Sequence, residues 1–186
     1  TARQWFDTQG VDAIADMTNS AAAIAVTTMA RDLGKITLMS APATTELTNA
    51  ACSPTGFHWG WDTYSQSVGT ASALVEQGKT NWFLITADYA FGHQMAKSLG
   101  DTINANGGTI VGEVRHPLNT IDFSSFLLQA QSSGAQVVGL ANGGTDTVNA
   151  VKSAAEFGIT QAGQTIAELN IVISDVHAMG LATAQG

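Results

Sequence analysis

Short apolar runs rich in Val and Ile alternate along the chain with longer segments in which apolar residues recur every three or four positions. The short runs, at residues 11–15, 36–39, 82–86, 109–114, 136–141 and 170–174, have the length and residue types of strands. Helical spacing fills residues 21–33, 63–77, 91–106, 123–133 and 145–157. Gly34, Gly78, Gly107, Gly134 and Gly158 each stand just past one of these segments, where a helix end favours glycine. The first residues, with Ala2, Trp5 and Phe6 apolar, read as an amphipathic helix. This alternation predicts an α/β fold, with open, mostly parallel sheets and helices on both faces.

One stretch breaks the rhythm. SAPATTELTNAACSPTGFHWGWD, residues 40–62, holds two of the three prolines, many small polar residues and no sustained period. A connection of that length usually carries function or joins domains. It places a boundary near Phe57 to Asp62, with residues 1–58 in one lobe and 59–186 in another. Trp59 and Trp61 flank that hinge with Tyr64, as packing between lobes or as a stacking wall.

The remaining totals mainly exclude. With 45% hydrophobic and 12% charged residues the chain has material for a core. Seven basic against fifteen acidic residues give a formal net charge of −8 with no basic run, so nucleic acid is not an expected partner. Cys52 is the one cysteine and has no internal partner. No apolar run approaches the roughly 20 residues that cross a bilayer, and TARQWFDTQG lacks the pattern of a secretory signal. The chain starts without Met and in mid-helix, and reads as a fragment.

Candidate chemistry lies where strands would end, since open parallel sheets bind ligands beyond their carboxyl edges. Those ends carry Thr18-Asn19-Ser20, Ser40 to Thr44, Asp88 to Phe91, Asn142 to Asp146 and Asp175 to His177. Each has two readings. Thr18-Asn19-Ser20 caps the following helix or offers its free N–H groups to an anion. SAPATT is loop chemistry or a set of hydroxyl contacts. Asn142 to Asp146 is a turn with a cap or a place where small residues let a ligand approach the backbone. It is no Walker loop, and G-x-G-x-x-G is absent as well. The four histidines show no zinc spacing, and no G-x-S-x-G elbow appears, so neither a metal nor a cofactor is expected.

The stretches VDAIADMTNSAAAIAV, ITLMSAPATTELT, NWFLITADYAFGHQ, the run from GGTIVGEVRH to AAEFGI, and ISDVHAMGLATAQG together resemble the type I periplasmic solute-binding proteins of ABC importers. The resemblance is to the branched-chain amino acid (Leu/Ile/Val) binding group, which includes members that take aromatic acids. It spans the whole chain and implies a two-lobed clamp closing on a small carboxylate in an interlobe cleft. The chain would hold the later part of the first lobe and most of the second. Its partners would be that ligand and the permease subunits, and its location periplasmic or extracytoplasmic. By matching motifs, Ser20, Ala41, Ala43 and Thr44 would grip the ligand's carboxylate. Tyr89 and Phe91 would supply an aromatic wall, Asn142 and Gly143 a loop contact, and Asp175 a counter-charge for an ammonium. Two other classes stay open: a sensor built on the same clamp, and a doubly wound enzyme using Asp88, Asp146 or Asp175.

Overall fold

The computed structural model describes residues 1–184 and divides the chain into two units, Thr1–Ser65 and a second from Gln66 on. The first unit contains α1 (Ala2–Thr8), β1 (Ala13–Ala15), α2 (Ser20–Asp32), β2 (Ile36–Met39), a short 3-10 turn at Thr45–Thr48 and β3 (Gly56–His58). The chain passes into the second unit along α3 (Thr63–Glu76). There follow β4 (Asn81–Ala87), α4 (Ala90–Ala105), β5 (Thr109–His116), α5 (Ser124–Ser132), β6 (Val137–Ala141), α6 (Thr145–Glu156), β7 (Thr165–Glu168), α7 (Ile173–Met179) and α8 (Leu181–Ala184).

Each unit has its own sheet. The first is β1-β2-β3 and the second β5-β4-β6-β7, and every recorded strand pair is parallel. In the first unit Phe6, Ile14, Ala23, Val26, Ala30, Met39 and Leu47 form one core, so the amphipathic start of the chain is a helix packed on that sheet.

In the second unit the central strands β4 and β6 are buried almost throughout, which is why they read as continuous apolar runs. Phe83, Ile85, Val138 and Leu140 pack under α5 and α6 against Phe123, Leu127, Val148 and Val151. Trp82 and Leu84 alternate to the other side, and Met95, Leu99 and Ile103 of α4 are buried as well. The edge strand β5 alternates exposed and half-buried positions and ends on buried His116.

The five glycines expected past helix ends all have positive φ, between 64° and 84°. Three expectations need correction. The stretch read as an irregular connection contains β3, which was too short at three residues to show a period. Residues 170–174 form no strand: the fourth strand of the second sheet is β7, and Ile173 already starts α7. The β-branched run Ile171-Val172-Ile173 imitates a strand, yet all three side chains are exposed. Asp175 is therefore a helix residue and does not stand at a strand end.

Candidate functional site

In the first unit the loops after β1 and β2 leave the carboxyl edge of the sheet. Asn19 caps α2, its Oδ1 accepting from the Ala22 N–H at 3.0 Å, and this leaves Ser20 as the first helical residue, buried. The two readings of Thr18-Asn19-Ser20 thus fall on different residues: Asn19 caps, and Ser20 is available for another task. After β2, Ala43 and Thr44 are buried and Ala41 half-buried. The Thr44 hydroxyl accepts from the Glu46 N–H at 3.3 Å and starts the 3-10 turn. The Ala43 carbonyl accepts from the Thr63 N–H at 2.7 Å, and the Pro42 carbonyl faces His58 Nε2 at 2.7 Å. These bonds fix the loop by its backbone.

In the second unit the corner after β4 is built around Gly92. A Cβ there would lie 2.0 Å from the Ala87 carbonyl oxygen and 3.1 Å from that of Ala141, so α4 begins directly on the ends of β4 and β6. This approach drives Phe91 inward to 4% exposure, with its ring 5.8 Å from that of half-buried Tyr89. Of the two aromatics, Tyr89 is the one that reaches the surface of the corner. Burial, and then the charge of Asp146, push the Tyr89 hydroxyl up to about 12. It keeps its proton at physiological pH and can donate a hydrogen bond.

The loop after β6 is held by a buried amide. Asn142 is 0% exposed and both ends of its amide are engaged: Oδ1 accepts from the Thr147 hydroxyl at 2.7 Å, and Nδ2 stands 3.3 Å from His116 Nε2. Its buried side chain supports the loop from within. Gly143 and Gly144 present the rim itself. A Cβ on Gly143 would fall 2.6 Å from Asn170 Nδ2, and Gly144 has φ 60° and ψ −133°, a conformation reserved for glycine.

Asp146, read from the sequence as a helix cap or an enzymatic acid, is buried, and half-buried Glu168 had no sequence reading. Asp146 is 5% exposed; Oδ2 accepts from the Asn119 N–H at 3.2 Å, and Oδ1 is buried with no partner among the described residues. Glu168 ends β7, and burial, followed by the charge of Asp175, raises its carboxyl to about 7. A glutamate in a strand of only four residues gives no sequence signal. Asp175 is half-buried and its Oδ2 accepts from the Val172 N–H at 3.1 Å, so it tethers the first turn of α7.

The folded protein holds the Glu168 proton up to about pH 7, whereas a free carboxyl releases it near 4.5. Between those values the folded state binds the extra proton, and stability falls as pH rises through the window. Glu168→Gln is expected to flatten this trend and to raise the melting temperature relative to the unsubstituted protein above pH 7. Melting curves at several pH values check it.

A cavity of about 380 Å³ in the second unit, lined among others by Val151, Ala154, Ile166, Glu168, Ile171 and Met179, runs beside the edge strand β7 and includes none of the residues just described except Glu168. Among the described residues no cluster of three or more His, Cys, Asp or Glu could hold a metal ion, and no helix is long and apolar enough to cross a membrane. Cys52 is exposed and free.

Comparison with known proteins adds the following. The sequence profile of the family described as "Periplasmic binding protein" matches residues 1–186. A solved periplasmic binding protein from Burkholderia mallei is 50% identical, with a TM-score of 0.95 over 100% of this chain and 49% of its own. A branched-chain amino acid ABC transporter periplasmic ligand-binding protein from Burkholderia xenovorans is 37% identical, with a TM-score of 0.79 over 97% of this chain and 48% of its own. A solute-binding protein of an ABC transporter from R. palustris, solved with 4-hydroxybenzoate, shares the fold at 24% identity, with a TM-score of 0.82 over 90% of this chain and 45% of its own. The chain thus spans about half the length of the solved proteins it matches. Among curated proteins none matches.

Proposed function

The chain belongs to the periplasmic binding protein family, and from that premise we propose that it is the solute-binding part of an ABC importer. It captures an amino acid or a related small carboxylate, either a branched-chain amino acid or an aromatic acid, in the periplasm and delivers it to a membrane permease. It binds and does not transform. The observation that carries this reading is the likeness over the full chain, at 50% identity, to a solved periplasmic binding protein. The relatives associated with branched-chain amino acids and with 4-hydroxybenzoate bracket the ligand class.

The rims supply matching chemistry. Ser20 opens a helix of 13 residues, whose first turn favours negative charge through its dipole and free N–H groups. With Thr44 and the backbone of Ala41 and Ala43 it forms the carboxylate grip. In the second unit Tyr89 and the Gly143 backbone are the candidate contacts, with Phe91 and Asn142 packed beneath them. Asp175 and Asp146 add carboxylates suited to an ammonium.

Thermal melting of the protein with L-leucine, L-isoleucine, L-valine, benzoate and 4-hydroxybenzoate tests the proposal. At about a hundredfold excess over Kd, a true ligand adds roughly 2.7 kcal/mol, an upward shift of about 5 to 10 °C for a chain of this size. At least one class is expected to give it. A melting temperature unmoved by both the amino acids and the aromatic acids would remove the transport reading.

A further inference from the structure

His116, Asn142 and Thr147 are buried polar side chains on three different elements, the end of β5, the residue after β6 and the first turn of α6. Their bonds form one chain with a fixed direction. His116 Nδ1 lies 2.9 Å from the Pro117 carbonyl oxygen, which can only accept, so Nδ1 carries the ring proton. In the neutral ring Nε2 then accepts, and it takes the Asn142 Nδ2–H at 3.3 Å. The Asn142 carbonyl in turn accepts from the Thr147 hydroxyl at 2.7 Å. The ring packs edge-on against Phe123, centroid to centroid 4.8 Å, which fixes its plane.

The same loops are stapled twice more. Asp146 accepts from the Asn119 N–H, and Asn149 Nδ2 donates to the Thr120 carbonyl at 3.0 Å, so α6 holds the loop after β5 as well. What this chain of bonds delimits is Gly143 and Gly144. Two glycines in succession have no side chain of their own to hold them, and Gly144 adopts a conformation that only glycine enters readily. Their geometry has to be imposed from Asn142 on one side and α6 on the other.

We infer that His116 is a positioning residue: acting through Asn142, it sets the direction of the Gly143 and Gly144 backbone groups that meet the ligand. The inference rests on the proposed function for the identity of that rim, and on the hydrogen-bond chain alone for the ordering of the two glycines. A fully satisfied buried network of this kind specifies one geometry, and loss of one member leaves the others buried and unpaired.

Two readouts on the same variants separate the parts. His116→Phe keeps an aromatic ring beside Phe123 but removes the acceptor for Asn142. Thr147→Val keeps the shape and removes the hydroxyl, while Thr147→Ser restores it. Leu99→Ala, in the buried face of α4, lowers stability without touching the chain. Amide hydrogen exchange at Val148, whose N–H donates to the Gly144 carbonyl at 3.1 Å, followed without ligand, is expected to quicken at least tenfold in His116→Phe and Thr147→Val. It should stay near the original rate in Thr147→Ser and Leu99→Ala. Binding of whichever compound among L-leucine, L-isoleucine, L-valine, benzoate and 4-hydroxybenzoate raises the melting temperature most is expected to weaken about tenfold in the first two variants. The double variant should lose less than the product of the two single effects.

Exchange at Val148 that rises no more in His116→Phe than in Leu99→Ala overturns the positioning role, whatever binds. Quickened exchange with unchanged affinity overturns the link to the ligand. If none of the five compounds binds the unsubstituted protein, the transport proposal fails, and the exchange rates still decide whether His116 orders the loop.

Discussion

Gly92→Ala is expected to lower the melting temperature by about 10 °C, a loss of about 3 kcal/mol or more. An alanine in a helix normally gains close to 1 kcal/mol over glycine, so helix propensity alone predicts the opposite sign. The difference lies in where α4 begins. A methyl group on residue 92 would stand 2.0 Å from the Ala87 carbonyl oxygen, and since that atom belongs to the backbone of the central strand it has no rotamer through which to yield. The helix would have to lift off the ends of β4 and β6, taking Phe91 out of its buried position and Tyr89 with it. The substitution should therefore weaken ligand binding together with stability. A melting temperature within about 2 °C of the original would show that the corner is looser than its geometry states.

Trp82→Ala is the second large effect, a loss of about 3 to 5 kcal/mol. Trp82 is fully buried in the second unit, and its Nε1–H donates to the Lys79 carbonyl oxygen at 2.8 Å. The substitution removes the apolar body of the ring and leaves that carbonyl without its donor, so a cavity term and a hydrogen-bond term add. Against a typical domain stability of about 5 to 15 kcal/mol, this is enough to populate unfolded protein at modest urea concentrations. A urea titration followed by circular dichroism measures it, and a loss under about 1 kcal/mol would contradict the packing described. Trp82 opens β4 whereas the rim lies past its other end, so ligand-dependent fluorescence would have to come from Trp5, Trp59 or Trp61, all exposed.

The fold was legible where burial and period agree. β4 and β6 are buried on both faces and show uninterrupted apolar runs, and the helices between them keep their apolar stripe, so these elements stand within a residue or two of their expected positions. Illegible parts have specific causes. β3 is three residues long and begins with glycine, too short for any alternation to register. β7 ends in a glutamate that a strand pattern penalises, while the exposed run after it has the β-branched residues a strand favours.

The candidate site was legible at the level of loops and less so at the level of side chains. Strand ends can be located from period alone, and that put Ser20, Thr44, Tyr89 and Gly143 on the rims. Whether a polar residue on such a loop faces outward or inward depends on partners distant in sequence. Asn142 faces inward because His116, 26 positions earlier, and Thr147 occupy its amide. Phe91 faces inward because Gly92 brings its helix against the sheet. Glu168 escaped assignment because its raised carboxyl is set by burial, which no local pattern encodes.

The proposal that ligand contacts lie on the strand-end rims of each unit is tested most directly by nuclear magnetic resonance, with whichever of the five compounds binds titrated into the labelled protein. The account predicts that backbone and side-chain shifts concentrate at Ser20, Ala43 and Thr44 in the first unit and at Tyr89, Gly143 and Gly144 in the second. Shifts confined to the cavity beside β7, at Val151, Ile166 and Met179, with the rims silent, would contradict it.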